Sequence, residues 1–178
     1  RLAWRGAPEP PVRPMPEGTA VTHTMFADMT DAEIATVLDV LNDAFSGHFD
    51  NAPQPLSRWI RWRDASDEPQ MVSLAWRGNE VIAFCVAEDS RAYNAERGLR
   101  SGWIQLLGVR KPFRCQGLGT AMLLDGMGWL RSLGHDTVFI GVDAENEGAL
   151  GLYRSLGFEV QNQSRAYHLP LRAPARPG

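Results

Sequence analysis

Lysine is almost missing from this chain: among 18 cationic residues Lys111 is the single lysine, and the others are arginine. With its many alanines and glycines, that bias points to a GC-rich bacterial genome. Cysteine is scarce too. Cys85 and Cys115 stand far apart, without the close pairing that zinc or dithiol chemistry needs, so no metal is expected and both thiols are expected to be reduced, as in a cytoplasmic protein. No apolar run reaches the length of a membrane span, and the chain shows no signal-peptide pattern; neither a membrane nor an export route is expected. Positive charge is not in excess. A formal net charge of −3, with no basic stretch interleaved with aromatics, argues against nucleic acid as a partner. What is left, 44% hydrophobic and 22% charged over 178 residues, is the composition of a soluble globular chain with a substantial core.

The most informative stretch runs from Trp103 to Leu133. Residues 103–109 are apolar and bounded by Gly102 and by Arg110-Lys111-Pro112, which predicts a buried strand. From Leu118 onward Met122, Leu123, Met127, Leu130 and Leu133 recur at helical spacing until Gly134, a residue suited to ending a helix. Between them lies Arg114-Cys115-Gln116-Gly117-Leu118-Gly119-Thr120. A glycine-rich turn into a helix offers unpaired N–H groups and the positive end of the helix dipole, hence a seat for a phosphate or pyrophosphate. It is not a P-loop, because Thr120-Ala121 replaces the required Lys-Ser/Thr. Nor is it a dinucleotide fingerprint, because Met122 stands where a third small residue is needed.

The rest of the chain reads as alternating elements. Residues 1–18, with Pro8, Pro10, Pro11, Pro14 and Pro16, are expected to be an extended linker or tail, and 173–178 a second tail. Residues 19–27 are expected to form a first strand. Thr30 and Glu33 make a capping box ahead of a helix over 31–45, and Leu56, Trp59 and Ile60 mark one face of a second, short helix. Residues 71–76 and 81–86 flank Arg77-Gly78-Asn79-Glu80 as a hairpin, and 87–101 reads as a polar loop. A strand over 137–142 follows the central helix and must lie parallel to 103–109, since a helical crossover joins them. A helix over 147–156, residues 158–160 and a last strand over 165–169 complete an α/β fold whose mixed, mostly antiparallel sheet has one parallel pair.

Arg114-x-x-Gly117-x-Gly119 resembles the acetyl-CoA-binding motif of the GCN5-related N-acetyltransferases, Gln/Arg-x-x-Gly-x-Gly/Ala. A second landmark agrees: Asn146, Ala149 and Tyr153-Arg154-Ser155-Leu156-Gly157-Phe158 resemble that family's Asn-x-x-Ala-x-x-x-Tyr-x-x-x-Gly-Phe signature. The resemblance implies one N-acetyltransferase domain over 19–172, with the parallel strands splayed. Acetyl-CoA would be the cosubstrate: pantetheine on the backbone of Leu107 and Val109, and pyrophosphate on Arg114, Cys115, Gln116, Gly117, Leu118, Gly119 and Thr120. Asn146 would orient the pantetheine or a water, and Tyr153 would be the acid that protonates the departing thiolate. Direct acetyl transfer to the primary amine of a small molecule or peptide follows.

The general base stays open. Many relatives place a glutamate where this chain has Gln105, and an amide cannot accept the proton. Glu88, Asp143, Glu145, His48 and His168 are the alternatives. Gln105 also leaves open a non-catalytic acyl-CoA-binding module, or a tandem half with a vestigial site. For Trp59 and Trp62, packing in the core competes with a place in the acceptor wall. The proline-rich lead-in and Asp143-Ala144-Glu145-Asn146 are similar to the C-terminal half of mycothiol-synthase-like tandem acetyltransferases. Trp103, however, stands where those enzymes carry an acceptor-binding carboxylate, so their substrate is not carried over. A homodimer or a fusion to a preceding domain is compatible with the chain.

Overall fold

Along the strand Glu80–Asp89, Ala83, Cys85 and Ala87 join one buried cluster while Phe84 and Val86 join another. A strand that is apolar on both sides needs a covering layer on each face of its sheet. The computed structural model, which describes residues 1–6, 13–46 and 53–163, supplies both. In chain order the elements are β1 (Leu2–Trp4), β2 (Ala20–Met25), α1 (Asp31–Phe45), α2 (Leu56–Ala65), β3 (Gln70–Arg77), β4 (Glu80–Asp89), α3 (Arg91–Arg97), β5 (Ser101–Val109), α4 (Leu118–Ser132), β6 (Thr137–Ile140), α5 (Glu147–Ser155) and β7 (Glu159–Val160). They form a seven-stranded sheet in the order β2-β3-β4-β5-β6-β1-β7. β5 and β6 are parallel and the other neighbours antiparallel, which is the mixed topology expected from the crossover. No helix of the described residues is long and apolar enough to cross a membrane.

Local signals hold where they are strong. The capping box closes on α1: the Thr30 hydroxyl accepts from the Glu33 N–H at 3.3 Å while the Glu33 carboxylate accepts from the Thr30 N–H at 2.7 Å. Those hydrogen bonds hold the Glu33 carboxyl below its ordinary pKa. Gly117 and Gly134 bracket α4, both with left-handed φ (+85° and +86°). α1 and α2 cover the Phe84 face, and α4 with α5 covers the Cys85 face, where burial pushes the Cys85 thiol up and makes it a core residue.

Three expectations change. Residues 2–4 are not part of a linker: Leu2, Ala3 and Trp4 form a buried strand between β6 and β7, with Leu2 opposite both Ile140 and Val160. Three residues are too few to show a period, and all their partners lie at the other end of the chain. The stretch 87–101 is not a loop, because β4 runs to Asp89 and α3 follows. No side chain at Ser90 caps that helix; instead the Glu68 carboxylate accepts from the Arg91 and Ala92 N–H groups at 2.7 and 2.8 Å. β6 ends at Ile140, short of the expected 142. The loop at 47–51, the strand expected over 165–169 and the tail 173–178 lie outside the described residues.

Candidate functional site

β5 carries an irregularity that shapes the site. Val86 pairs with Leu106 and Ala87 with Ile104, so Gln105 has no opposite residue on β4. A bulge breaks the alternation of side chains, and Gln105 and Leu106 therefore face the same way. Both line a cavity of about 600 Å³ whose other walls come from Phe45 of α1 and Arg58, Trp59 and Trp62 of α2. Trp59 is buried in the α1–α2 cluster and Trp62 packs 5.3 Å from it, ring centroid to centroid, so both residues serve the core and the cavity wall at once.

Beyond Ile104, β5 loses its second neighbour. The parallel pairing stops at Ile104 with Ile140, while β5 continues to Val109. Arg110 N–H donates to the Ile82 carbonyl at 2.9 Å, which makes those two a hydrogen-bonded pair. Antiparallel alternation then turns the peptide groups of Val109 and Leu107 away from β4, toward the edge that β6 has left. The Val109 carbonyl is found there, accepting from Arg114 Nε at 3.3 Å.

At the end of that edge stands the turn 114–120. Among the described residues, none accepts a hydrogen bond from the N–H groups of Cys115 through Thr120; the first satisfied amide is that of Ala121, which donates to Gly117 O at 3.0 Å. Cys115 (φ +59°) and Gly117 are both left-handed and curl the backbone ahead of α4. Arg114 builds the turn from inside: its guanidinium donates to Val109 O and to Ala44 O at the end of α1, and its N–H donates to Lys111 O. Two cations flank the turn that the sequence did not single out. An Arg13 nitrogen lies 3.8 Å from the point where a Cβ on Gly117 would stand. Arg77 lies over the Phe113 ring and reaches Gln116 Oε1 at 3.5 Å. No local pattern marks either one, since both arrive from distant elements.

α5 closes the far side. A Cβ on Gly119 would lie 3.7 Å from Leu152 Cδ2 and 3.8 Å from Val109 Cγ2, so turn, strand end and helix meet at one point. Asn146 caps α5, its Oδ1 accepting from the Ala149 N–H at 3.1 Å. Tyr153, only 6% exposed, packs 5.9 Å from the Phe158 ring, and burial, with a smaller contribution from Cys85, pushes its phenol up to about 12. The acidic alternatives stand elsewhere. Glu88 accepts from Gln70 Nε2 at 2.7 Å, Asp143 accepts from the Glu145 N–H, Glu145 is exposed, and none of the three lines the cavity. His48 and His168 lie outside the described residues.

A mixed sheet parted beside a helix that begins on free amides is the architecture of the N-acetyltransferase fold. The chain belongs to the acetyltransferase (GNAT) family, whose model matches residues 34–158. It is 30% identical over 160 residues to a mycothiol acetyltransferase of Streptomyces scabiei, an alignment that takes in 86% of this chain and 47% of that protein. The chain thus spans about half the length of that curated relative. Among solved structures it superposes on a GCN5-related N-acetyltransferase from Sphaerobacter thermophilus with a TM-score of 0.66 and 23% identity, over 90% of this chain and 47% of the other. The aminoglycoside N-acetyltransferase AAC(6')-Iy in complex with CoA matches with a TM-score of 0.59 and 16% identity, over 88% and 99% of the two chains. At these identities the two structures speak for the fold.

Proposed function

We propose that this chain is an acetyl-CoA-dependent N-acetyltransferase that passes the acetyl group directly to the primary amine of a small molecule or peptide. The observation that carries the proposal is the row of unclaimed amides from Cys115 to Thr120, opening beside the free edge of β5. Those donors and the dipole of α4 suit the pyrophosphate, with Arg114 holding the turn and Arg13 and Arg77 adding positive charge beside it. The peptide groups of Leu107 and Val109 hold the pantetheine as a neighbouring strand would, and an N–H there polarises the thioester carbonyl. Bound in this way, acetyl-CoA supplies an activated acyl group. Asn146 keeps its Nδ2 for the pantetheine or a water while its Oδ1 caps α5.

The proton steps belong to the chain and its acceptor. The Tyr153 hydroxyl gives its proton to the departing sulfur, and a pKa of about 12 keeps it protonated over the working range. Gln105, in the cavity, orients the amine but takes no proton, so the acceptor enters as the free amine or loses its proton to water. Tyr153→Phe should lower kcat by about 10²- to 10⁴-fold while leaving coenzyme affinity near that of the parent. In the parent, the acid limb of the pH profile should follow the acceptor's own amine pKa, and no alkaline limb should appear below about 12, because the protonated phenol is the active form. An unchanged kcat in the phenylalanine variant removes Tyr153 from the chemistry. Gln105 also favours a second reading, an acyl-CoA-binding module without turnover. That reading predicts coenzyme binding by calorimetry with no acetylated product from a broad panel of amines.

A further inference from the structure

The geometry points to an acceptor that carries a carboxylate as well as its amine, on an apolar or aromatic body. This deepens the acetyltransferase proposal and rests on it. The cavity between α1, α2 and β5 is apolar over most of its wall, through Phe45, Trp59, Trp62 and Leu106, and among its described lining residues the single charge is Arg58. Arg58 donates one N–H to the neutral Gln54 Oε1 at 2.8 Å and pairs with no carboxylate among the described residues. Other arginines of the fold are matched by acids: Arg63 by Asp31 and Asp64, Arg91 by Asp89, Arg100 by Asp136, and Arg110 by Asp39 and Glu80.

A guanidinium with an open side presents a planar fork of donors, the geometry that a carboxylate fills with two parallel hydrogen bonds. Arg58 is exposed, so such a pair draws on its two parallel hydrogen bonds more than on a low dielectric. Gln105 marks the other end, because it lies at the bulge where β5 begins to run free toward the proposed acyl site. The amine belongs there, the anion at Arg58 and the body along Trp62. A volume of about 600 Å³ leaves room for a side chain well beyond that of glycine. A polycationic acceptor finds no carboxylate on the described wall and meets Arg58 instead.

The test uses the full chain with acetyl-CoA and matched acceptors that differ only in the carboxylate: phenylalanine against phenethylamine and phenylalanine amide, norleucine against pentylamine. Expected is a kcat/KM about tenfold or more higher for each acid. Arg58→Gln should erase that preference through KM with kcat nearly unchanged, and Arg58→Glu should reverse it. Arg58 is exposed, so these variants leave the core intact. Quenching of tryptophan fluorescence by N-acetylphenylalanine, against N-acetylphenethylamine, reads the same preference without turnover. Equal or better use of the decarboxylated amines, or a preference indifferent to Arg58, overturns the acceptor assignment. Calorimetry with acetyl-CoA separates the two proposals: no coenzyme binding and no transfer to any amine overturns the acetyltransferase itself, whereas coenzyme binding with the wrong acceptor preference overturns only the carboxylate.

Discussion

Cys115 holds a left-handed backbone (φ +59°) with a side chain on it, the one such non-glycine position among the described residues. The conformation costs a residue with a Cβ about 1–2 kcal/mol. Its thiol is exposed, and in the proposed function the turn would bind through peptide groups, not sulfur. Cys115→Gly should therefore raise stability by up to about 1 kcal/mol, the relief of strain being partly offset by the looser unfolded chain. Cys115→Val, branched at Cβ, should lose about 1–2 kcal/mol. Urea midpoints read both changes, and coenzyme affinity should be unaltered in the glycine variant. A glycine-rich turn was legible in the sequence at this site. The left-handed cysteine was not, because nothing in the residue type announces it.

At the scale of an element, Gly126 and Gly128 of α4 have opposite duties. Gly126 faces β4 and β5, where an added Cβ would come 2.8 Å from Cys85 Sγ and 3.0 Å from Ile104 Cδ1. The helix lies this close because its opposite numbers on β4 are small, Ala83, Cys85 and Ala87. Gly128, on the exposed side, has nothing within 4 Å of the same construction. Gly126→Val should cost about 1–3 kcal/mol by overpacking, while Gly128→Ala should gain about 0.5–1 kcal/mol from helix propensity alone. Thermal unfolding of the two variants should move in opposite directions. If both moved the same way, the close approach of α4 to the sheet would be wrong. The periodicity of Met122, Met127 and Leu130 made this helix readable, yet it could not say which glycine touches the sheet.

For the molecule as a whole, the deciding element is β1. It lies between β6 and β7 and hydrogen-bonds to both, joining the first residues of the chain to those around 138–140 and 159–160. Trp4, 1% exposed, points into the same cluster as α4 and the end of α5. Trp4→Ala should cost about 3–5 kcal/mol, read from a denaturant midpoint, a penalty that no linker residue would show. A loss below about 0.5 kcal/mol, the scale of an ordinary surface change, would return residues 2–4 to the status of a tail.

Sequence by itself determined what adjacent residues decide: the strand, glycine turn and helix around residues 103–132, the capping box of α1, the hairpin of β3 and β4, and the parallel sense of β5 and β6. Each rests on spacing or on bonds between near neighbours. Tertiary structure alone decided the rest. The seat of β1, the distant Glu68 carboxylate that caps α3, the bulge that turns Gln105 and Leu106 into one cavity, and the approach of Arg13 and Arg77 to the turn all depend on contacts between distant parts of the chain. The energies of such contacts are set by which surfaces meet in space, and no local pattern encodes that meeting.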